Sequence, residues 1–163
     1  MFVPKHKLMY SKLMESMIGD SQYQPAGIDI TLKEIYEFED AGKIDFDNSE
    51  RKISLVKPIT FKNEEVKLTP GAYKVIFNEY VKIPKNLIGF CFPRSSLLRC
   101  GATLECAVWD PGYEGRSEAL LLVMNSHGLI LKKNAKIGQM VFSHLVEDAK
   151  EGYEGTYKGE NKN

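Results

Sequence analysis

Short runs of β-branched and aromatic residues, separated by glycine, proline and asparagine, limit how this chain can fold more than any other feature. Such runs are typical of β-strands, and the residues between them favour tight turns. Turns are predicted at residues 69–71, 84–86 and 110–112. Many short strands with almost no helix predict an all-β protein with a closed or doubled sheet. The predicted strands are residues 27–38, 52–58, 73–83, 88–92, 103–108, 119–125, 128–131 and 139–145.

The two ends of the chain differ from this β pattern. Residues 7–18 carry apolar side chains near helical spacing, which predicts a short amphipathic helix within an N-terminal region of residues 1–20. Residues 147–163 are rich in Gly, Glu and Lys, which predicts a mobile tail that does not contribute to a core. The length is sufficient for one hydrophobic core, so we expect a single domain over residues 1–163.

Charge and composition argue against several classes of protein. The chain has 22 basic and 22 acidic residues, so no overall positive field attracts nucleic acid. Its longest apolar stretch, residues 119–124, is far too short to span a membrane, and residues 1–17 lack the apolar core of a secretory signal. Cys91, Cys100 and Cys106 show no metal-binding spacing and favour buried thiols in a reducing compartment. We therefore expect a cytoplasmic protein without a nucleic-acid or membrane partner.

Residues 94–99 read R-S-S-L-L-R and place two arginines around two hydroxyl groups. Guanidinium groups bind phosphate oxygens in a bidentate manner, and serine hydroxyls can donate to the same oxygens. If this segment forms a helical turn, Arg94 and Arg99 face its N-terminal end, while Leu97 and Leu98 anchor it to the core. An ordinary helix cap with two solvated arginines explains the hexamer equally well.

Asp110 ends a predicted strand and opens the turn D-P-G beside Trp109 and Tyr113. In a partly apolar pocket, such a carboxylate can act as a general base on water. Aspartate is also a preferred first residue of a type I turn that contains proline, and this reading suffices for Asp110 taken alone. Tyr113 either stacks on a sugar or base or belongs to the core, and Gln139 either presents its amide to a ligand or lies at a strand edge.

Taken in chain order, these segments resemble the motifs of the dUTPase and dCTP deaminase superfamily. Residues 24–30 (Q-P-A-G-I-D-I) resemble the first motif, and residues 93–99 (P-R-S-S-L-L-R) the second. Residues 107–115 (A-V-W-D-P-G-Y-E-G) resemble the third, and residues 136–142 (K-I-G-Q-M-V-F) the fourth. Residues 68–84 resemble the segment before the second motif in the deaminase branch. Four motifs in the correct order are far more specific than any one of them.

The resemblance implies a deoxynucleoside triphosphate as the substrate and assigns roles to individual residues. Asp110 is implied as the catalytic base that addresses a water, Tyr113 as the platform for the deoxyribose, and Asp29 as the residue that organises Mg²⁺ through water. The backbone of residues 105–110 is implied to read the pyrimidine. The implied fold is a distorted β-barrel or jelly roll of the β-clip type, assembled as a homotrimer with sites between subunits. The implied phosphate-binding residues are Arg94, Ser95, Ser96, Arg99 and Gln139.

Two reactions share this scaffold. Deaminases that resemble this chain carry a proton-shuttling glutamate in the pattern L-E-x-x-N, whereas alignment on Asn125 places Leu122 at that position. The nearest acid, Glu118, lies four residues upstream, ~13 Å away along a strand. Hydrolysis needs only a positioned water, a base and cations. We therefore expect hydrolysis of dUTP to dUMP and pyrophosphate; dCTP deamination or a bifunctional enzyme is the alternative, and a non-catalytic nucleotide-sensing protein is disfavoured by the complete residue set.

The C-terminal segment departs from the usual dUTPase pattern, because it lacks the glycine-rich motif with Arg and Phe and resembles the deaminase branch instead. We expect residues 152–163 to order over bound nucleotide as a lid, with Tyr153 or Tyr157 stacking and Lys158 reaching phosphate. A disordered, solubilising tail is the alternative. Residues 40–67 match no part of the family pattern.

Overall fold

Strands dominate the computed structural model. The structure describes residues 1–162, and Asn163, the last residue of the predicted tail, lies outside the described residues. The helices are α1 (Lys5–Leu8) and α2 (Ser95–Arg99), and Asp20–Gln22 form one 3₁₀ turn. The strands are β1 (Met14–Glu15), β2 (Tyr23–Gln24), β3 (Gly27–Phe38), β4 (Val56–Ile59), β5 (Glu65–Leu68), β6 (Gly71–Phe77), β7 (Tyr80–Lys82), β8 (Leu87–Pro93), β9 (Ala102–Glu105), β10 (Glu114–Gly115), β11 (Glu118–Val123), β12 (Leu129–Lys132) and β13 (Lys136–His144).

The main sheet runs in the order β8-β13-β3-β6-β11-β9, with β2 and β4 also paired to β3. Its two edges meet because Gly89 in β8 exchanges backbone hydrogen bonds of 3.0 and 3.1 Å with Trp109, just after β9. Two smaller sheets, β1-β7-β10 and β12-β5, complete the architecture. The prediction of an all-β fold with a distorted barrel is confirmed.

Strand β3 connects the core to the candidate site. Its first six residues are all buried, so neither face of this part of the strand meets solvent. Side chains alternate between the two faces of a strand, which puts Ile28 and Ile30 on the face opposite Asp29. Burying aliphatic side chains of this kind contributes about 1.5–3 kcal/mol each. The strand that helps to build the core therefore also fixes the position of a candidate site residue.

The single strand predicted over residues 73–83 is interrupted at Asn78 and Glu79, and this part of the prediction is wrong. The Asn78 amide donates to Thr31 Oγ1 at 2.9 Å. The fully buried Glu79 carboxylate accepts from Thr31 N–H and Oγ1 and from Gln22 Nε2, at 2.9, 2.6 and 2.7 Å. Burial raises the pKa of Glu79, although these donors act in the opposite direction. Side chains here bond to β3 where strand backbone was predicted.

The helix predicted over residues 7–18 is also wrong, since α1 contains only four residues. The Ser11 hydroxyl donates to Leu8 O at 2.7 Å, just beyond the end of α1. The following segment then pairs as β1 with β7. Because an isolated helix of this length is marginal in water, strand pairing can override the helical spacing.

Two predicted strands each lose several residues at one end. The strand predicted at residues 52–58 begins only at Val56, because residues 39–55 fold back on themselves as a hairpin that we call the arm. The strand predicted at residues 103–108 ends at Glu105, where the chain leaves β11 and crosses to Gly89. The expectation of buried cysteines is wrong for Cys100, which is exposed, while Cys91 and Cys106 are partly buried.

The C-terminal tail lies against the barrel. Tyr153 N–H donates to Pro111 O and Gly159 N–H donates to Glu114 O, both at 2.7 Å. The Tyr153 side chain packs against the core, so the expectation that the tail contributes nothing to the core is wrong at this residue. Its mobility in the free protein stays a prediction. Neither α-helix of residues 1–162 has the length or apolar character needed to cross a membrane.

Replacing Glu79 tests the side-chain bonding at the strand break. Glu79→Ala leaves buried donors of Thr31 and Gln22 without an acceptor, so we expect the free energy of unfolding to fall by about 3 kcal/mol. Equilibrium urea denaturation measures the change. Glu147→Ala, at an exposed position, is the control and should stay within about 0.5 kcal/mol of the parent. A loss below about 1 kcal/mol for Glu79→Ala would show that solvent replaces these bonds readily.

Candidate active site

The first group of predicted residues gathers around Asp29, and we call it the Asp29 cluster: Asp29, Arg94, Lys136, Gln24 and Gln139. Asp29 lies in β3 directly opposite Gln139 in β13. Arg94 follows β8, and its backbone N–H donates to Ile137 O at 3.1 Å. Two adjacent strands and the segment after a third therefore bring residues of the first, second and fourth motifs together.

The charge of Asp29 is matched within this cluster. Its side chain is only 1% exposed, and an isolated carboxylate at such a position is strongly unfavourable. Arg94 forms an ion pair with it, Lys136 Nζ lies 3.4 Å from Oδ2, and Gln24 Nε2 donates to Oδ2 at 2.9 Å. Two cations around one carboxylate leave a net positive charge. Because the side chains of Arg94 and Lys136 are about one-third exposed, the cluster can also face an anion.

The α2 segment presents the remaining predicted phosphate ligands. Ser95, Ser96 and Arg99 are exposed, and no side-chain hydrogen bond or ion pair engages them within residues 1–162. The expectation that both leucines anchor this turn is wrong for Leu98, which is 52% exposed while Leu97 is buried. A helix of five residues turns only one side to the core. Ser95, Ser96 and Arg99 are thus available to a ligand.

Asp110 lies apart from this cluster, on a tight turn. Tyr113 N–H donates to Asp110 O at 3.1 Å, and the positive φ of Gly112, 85°, identifies a type II turn instead of the type I alternative. Gly112 is required for a second reason, since a Cβ there would lie 2.7 Å from Gly152 Cα of the tail. The Asp110 side chain is exposed and has no hydrogen bond or ion pair within the described chain.

Asp110 opens onto a cavity of about 230 Å³, which we call the Asp110 cavity. One side consists of Ala107 and Val108, whose backbone groups make no backbone hydrogen bond in the part of the chain that the structure describes. A free N–H and C=O pair can match the donors and acceptors on the edge of a pyrimidine. The remaining lining residues come from the barrel and from the tail: Trp109, Tyr113, Ser117, Glu118, Tyr153, Tyr157 and Glu160.

A chain of hydrogen bonds connects the Asp110 turn to the tail. Trp109 Nε1 donates to Ser117 Oγ at 2.6 Å, and Tyr113 Oη donates to Glu160 Oε1 at 2.7 Å. The 2.8 Å contact between Ser117 Oγ and Tyr113 Oη then has one consistent direction, with Ser117 donating, because the Tyr113 proton is already used. Burial raises the pKa of Tyr113 and of Glu160. These hydrogen bonds fix the tail beside the predicted catalytic residue, Asp110.

Tyr113 lines the Asp110 cavity, where a stacking role was expected, yet the tail covers much of its ring. The side chain is only 7% exposed, and its ring meets the Tyr153 ring edge-on at 5.7 Å between centroids. The two rings together form an aromatic wall beside Asp110. Lys158, expected to reach phosphate, pairs with Glu154 at 2.6 Å on the tail itself.

Of the two positions discussed for a deaminase glutamate, Glu118 faces the Asp110 cavity and Leu122 does not line it. The Glu118 carboxylate is engaged by Lys74 Nζ at 3.0 Å and by Asn161 Nδ2 at 3.2 Å. An acid is therefore present in the cavity, but it already has a cationic partner.

The two halves of the predicted site are separate within one chain. No hydrogen bond or ion pair among residues 1–162 joins the Asp29 cluster to Asp110, and none of the predicted phosphate ligands lines the Asp110 cavity. The same residues contain no group of three or more His, Cys, Asp or Glu side chains that could hold a metal. Since cations already surround Asp29, it does not fit as the core of a protein-only magnesium site.

Sequence reasoning missed two kinds of residue. Lys136 and Gln24 lie in the segments that resemble the fourth and the first motif. The charge of Lys136 and the amide of Gln24 were the signals that could have identified them. Glu160 carries no comparable signal, because its position depends on the path of the tail across the barrel.

Comparisons with known proteins identify the family of this chain. Residues 6–145 match the family described as dCTP deaminase-like. The chain is 54% identical over 151 residues to the probable deoxyuridine 5'-triphosphate nucleotidohydrolase of Methanosarcina acetivorans, covering 91% of this chain and 88% of the relative. It is 46% identical over 151 residues to the deoxyuridine 5'-triphosphate nucleotidohydrolase of Methanocaldococcus jannaschii, covering 91% and 95%.

A solved structure shows the same fold at low sequence identity. The crystal structure of 2'-deoxycytidine 5'-triphosphate deaminase from Agrobacterium tumefaciens matches with a TM-score of 0.65 at 14% identity. The match covers 86% of this chain and 48% of the deaminase chain. With a family match over most of its length and the family motifs in order on a nearly closed barrel, the chain belongs to the dCTP deaminase-like family.

Proposed function

We propose that this protein hydrolyses dUTP to dUMP and pyrophosphate, with Asp110 as the base that activates water. One observation carries the choice of residue. Of the two motif aspartates, Asp29 is neutralised by cations, whereas Asp110 opens onto a cavity with its carboxylate unengaged within residues 1–162. The relatives named as deoxyuridine 5'-triphosphate nucleotidohydrolases, at 54% and 46% identity, support the same reaction.

In this proposal, the Asp110 carboxylate accepts a proton from a water as the water oxygen attacks the α-phosphorus. The bond from the α-phosphorus to the oxygen that bridges it to the β-phosphorus breaks, and pyrophosphate leaves with that oxygen and the bonding electron pair. Cations near the phosphoryl oxygens stabilise the charge that develops there. A positioned general base typically contributes about 10²–10⁴-fold to such a step.

The Asp110 cavity is proposed to hold the nucleoside. The unengaged backbone groups of Ala107 and Val108 would pair with the uracil edge, and Tyr113 with Tyr153 would border the deoxyribose. Because residues of the tail line one side of this cavity, we propose that the tail serves as its lid.

The triphosphate is proposed to lie against Arg94, Ser95, Ser96, Arg99 and Gln139, with Lys136 as an additional cation. Mg²⁺ is proposed to arrive bound to the triphosphate, since this ion commonly keeps several waters and uses substrate phosphates as ligands. The role of Asp29 in this proposal is to position Arg94, by the ion pair described above.

We further propose a cytoplasmic homotrimer whose sites lie between subunits. The separation of the Asp29 cluster from Asp110 within one chain supports this assembly, because a second copy can supply the half that the first lacks. A head-to-tail contact repeated around a closed ring places one such site at every interface.

Deamination of dCTP is the second candidate, because Glu118 supplies an acid in the same cavity. Product analysis separates the two reactions. With dUTP and Mg²⁺ we expect pyrophosphate. With dCTP we expect no ammonia, because the Glu118 carboxylate is already paired with Lys74. Ammonia from dCTP would establish the deaminase or a bifunctional enzyme, and absence of both products would favour a nucleotide-binding protein.

Asp110→Asn tests the mechanism in the same assay. The amide cannot accept the proton, so we expect the variant to fold, to bind dUTP and to lose about 10²–10⁴-fold in kcat. Asp148→Asn, at an exposed position of the tail, is the matched control and should keep full turnover. Near-normal turnover by Asp110→Asn would remove this residue from the mechanism.

A mixing experiment tests the shared site. Arg94→Ala and Asp110→Asn each inactivate one half, so exchange of subunits should restore about a quarter of the sites in an equal mixture. Arg94→Ala mixed with the Arg94→Ala/Asp110→Asn double variant is the control, since no chain in it supplies an intact Arg94. If subunit exchange is verified by mass and the first mixture stays inactive, the two halves do not meet between chains.

A further inference from the structure

The arm, residues 39–55, is held together by its own bonds. Lys43 and Lys52 exchange backbone hydrogen bonds of 2.8 and 2.9 Å, and Asp40 accepts from Lys52 Nζ at 2.5 Å and from Leu55 N–H at 2.6 Å. Residues 40–55 of the arm lie in the stretch that resembles no family motif. It is therefore a local structure whose purpose the proposed reaction does not explain.

One side chain connects this arm to the rest of the protein. Arg51 Nη2 donates to Thr156 Oγ1 at 3.0 Å, and its guanidinium lies 5.8 Å from the centre of the Tyr157 ring. Within residues 1–162, no other hydrogen bond or ion pair links residues 40–54 to any residue outside the arm. Such a cation over an aromatic face is a favourable contact, and a planar guanidinium is well suited to it.

The tail segment that Arg51 contacts is anchored at both ends. At its start Tyr153 N–H bonds to Pro111 O, and at its end Gly159 N–H bonds to Glu114 O. We call residues 154–158, between these anchors, the strap. The strap's own side chains bond mostly within the tail, as Lys158 does with Glu154. Among the described residues, the Arg51 bond to Thr156 is the one hydrogen bond from the strap to a residue outside the tail.

The strap borders the proposed nucleotide site. Tyr157 lines the Asp110 cavity, while Arg51 itself is not among the lining residues. Arg51 therefore contacts Tyr157 from outside the cavity. It can fix the position of the Tyr157 ring without touching a ligand bound in the cavity.

We propose that Arg51 is a positioning residue that holds the strap, and Tyr157 in particular, over the nucleotide. The arm supplies Arg51 from outside the family motifs and acts as a brace for the lid of the same chain. This proposal rests on the proposed function, in that it takes the occupant of the Asp110 cavity to be dUTP. Arg51 has no role in moving protons or in binding phosphate.

Arg51→Ala tests the brace by kinetics. Loss of a contact that acts equally on bound substrate and transition state raises KM and leaves kcat nearly unchanged. We expect KM for dUTP to rise about fivefold, with kcat within about twofold of the parent. Arg51→Lys keeps the charge but loses the planar group, so its KM should lie between those of the parent and Arg51→Ala. Lys43→Ala is the matched control, because Lys43 is an exposed cation of the same arm that pairs only within it.

Cleavage of the strap by trypsin provides a readout that does not depend on activity. Lys158 lies in the strap, so release of the segment after it, followed by intact mass, reports how often the strap opens. We expect faster cleavage at Lys158 in Arg51→Ala than in the parent or Lys43→Ala. Bound dUMP should slow this cleavage less in Arg51→Ala than in the parent.

The possible outcomes separate the two proposals. Unchanged cleavage in Arg51→Ala overturns the brace, as does faster cleavage with an unchanged KM. If the parent protein releases no pyrophosphate from dUTP, the proposed function fails, while the cleavage experiment still tests whether Arg51 holds the strap.

Discussion

A carboxylate buried inside a strand must be neutralised, and this requirement at Asp29 organises half of the site. Asp29 lies in the part of β3 that is buried on both faces, and Arg94, Lys136 and Gln24 all contact its Oδ2 atom. Breaking a buried pair by removing one partner typically costs 3–5 kcal/mol, because an uncompensated charge remains. The same contacts that satisfy Asp29 leave two cations at the rim. Stability and the proposed phosphate binding are thus linked through one side chain.

Asp110 has the opposite environment. Its turn is fixed by backbone bonds and by Gly112, yet its carboxylate is left open to a cavity. The bonds from Trp109 through Ser117 and Tyr113 to Glu160 hold the tail on the far side of that cavity. A base needs an unengaged carboxylate, a place for a nucleotide beside it and a means to exclude bulk water. We propose that residues 107–118 and the tail together meet these needs.

Local sequence was sufficient where neighbouring residues determine the structure. The turn at Asp110 and the short helical turn after Arg94 were both predicted, because Pro, Gly and Ser act on the backbone next to them. The break at Glu79 was not predicted, since its cause is a set of bonds to Thr31 and Gln22, which lie far away in the chain. Alternating apolar residues through 73–83 conceal that break.

Long-range contacts explain the other differences. Nothing near Glu160 indicates that it accepts a bond from Tyr113, and nothing near Arg51 indicates a tyrosine of the tail as its partner. A composition rich in Gly, Glu and Lys suggested a tail without contacts, whereas a few specific bonds to the barrel fix its course. Pattern and composition report average tendencies, and single long-range bonds can override them.

A crystal structure with a non-hydrolysable dUTP analogue tests the division of work between the two aspartates most directly. The account predicts that the Asp110 carboxylate contacts a water facing the phosphates, while Asp29 stays paired with Arg94. A structure in which Asp110 points into bulk solvent, and Asp29 leaves Arg94 to contact that water, would contradict it.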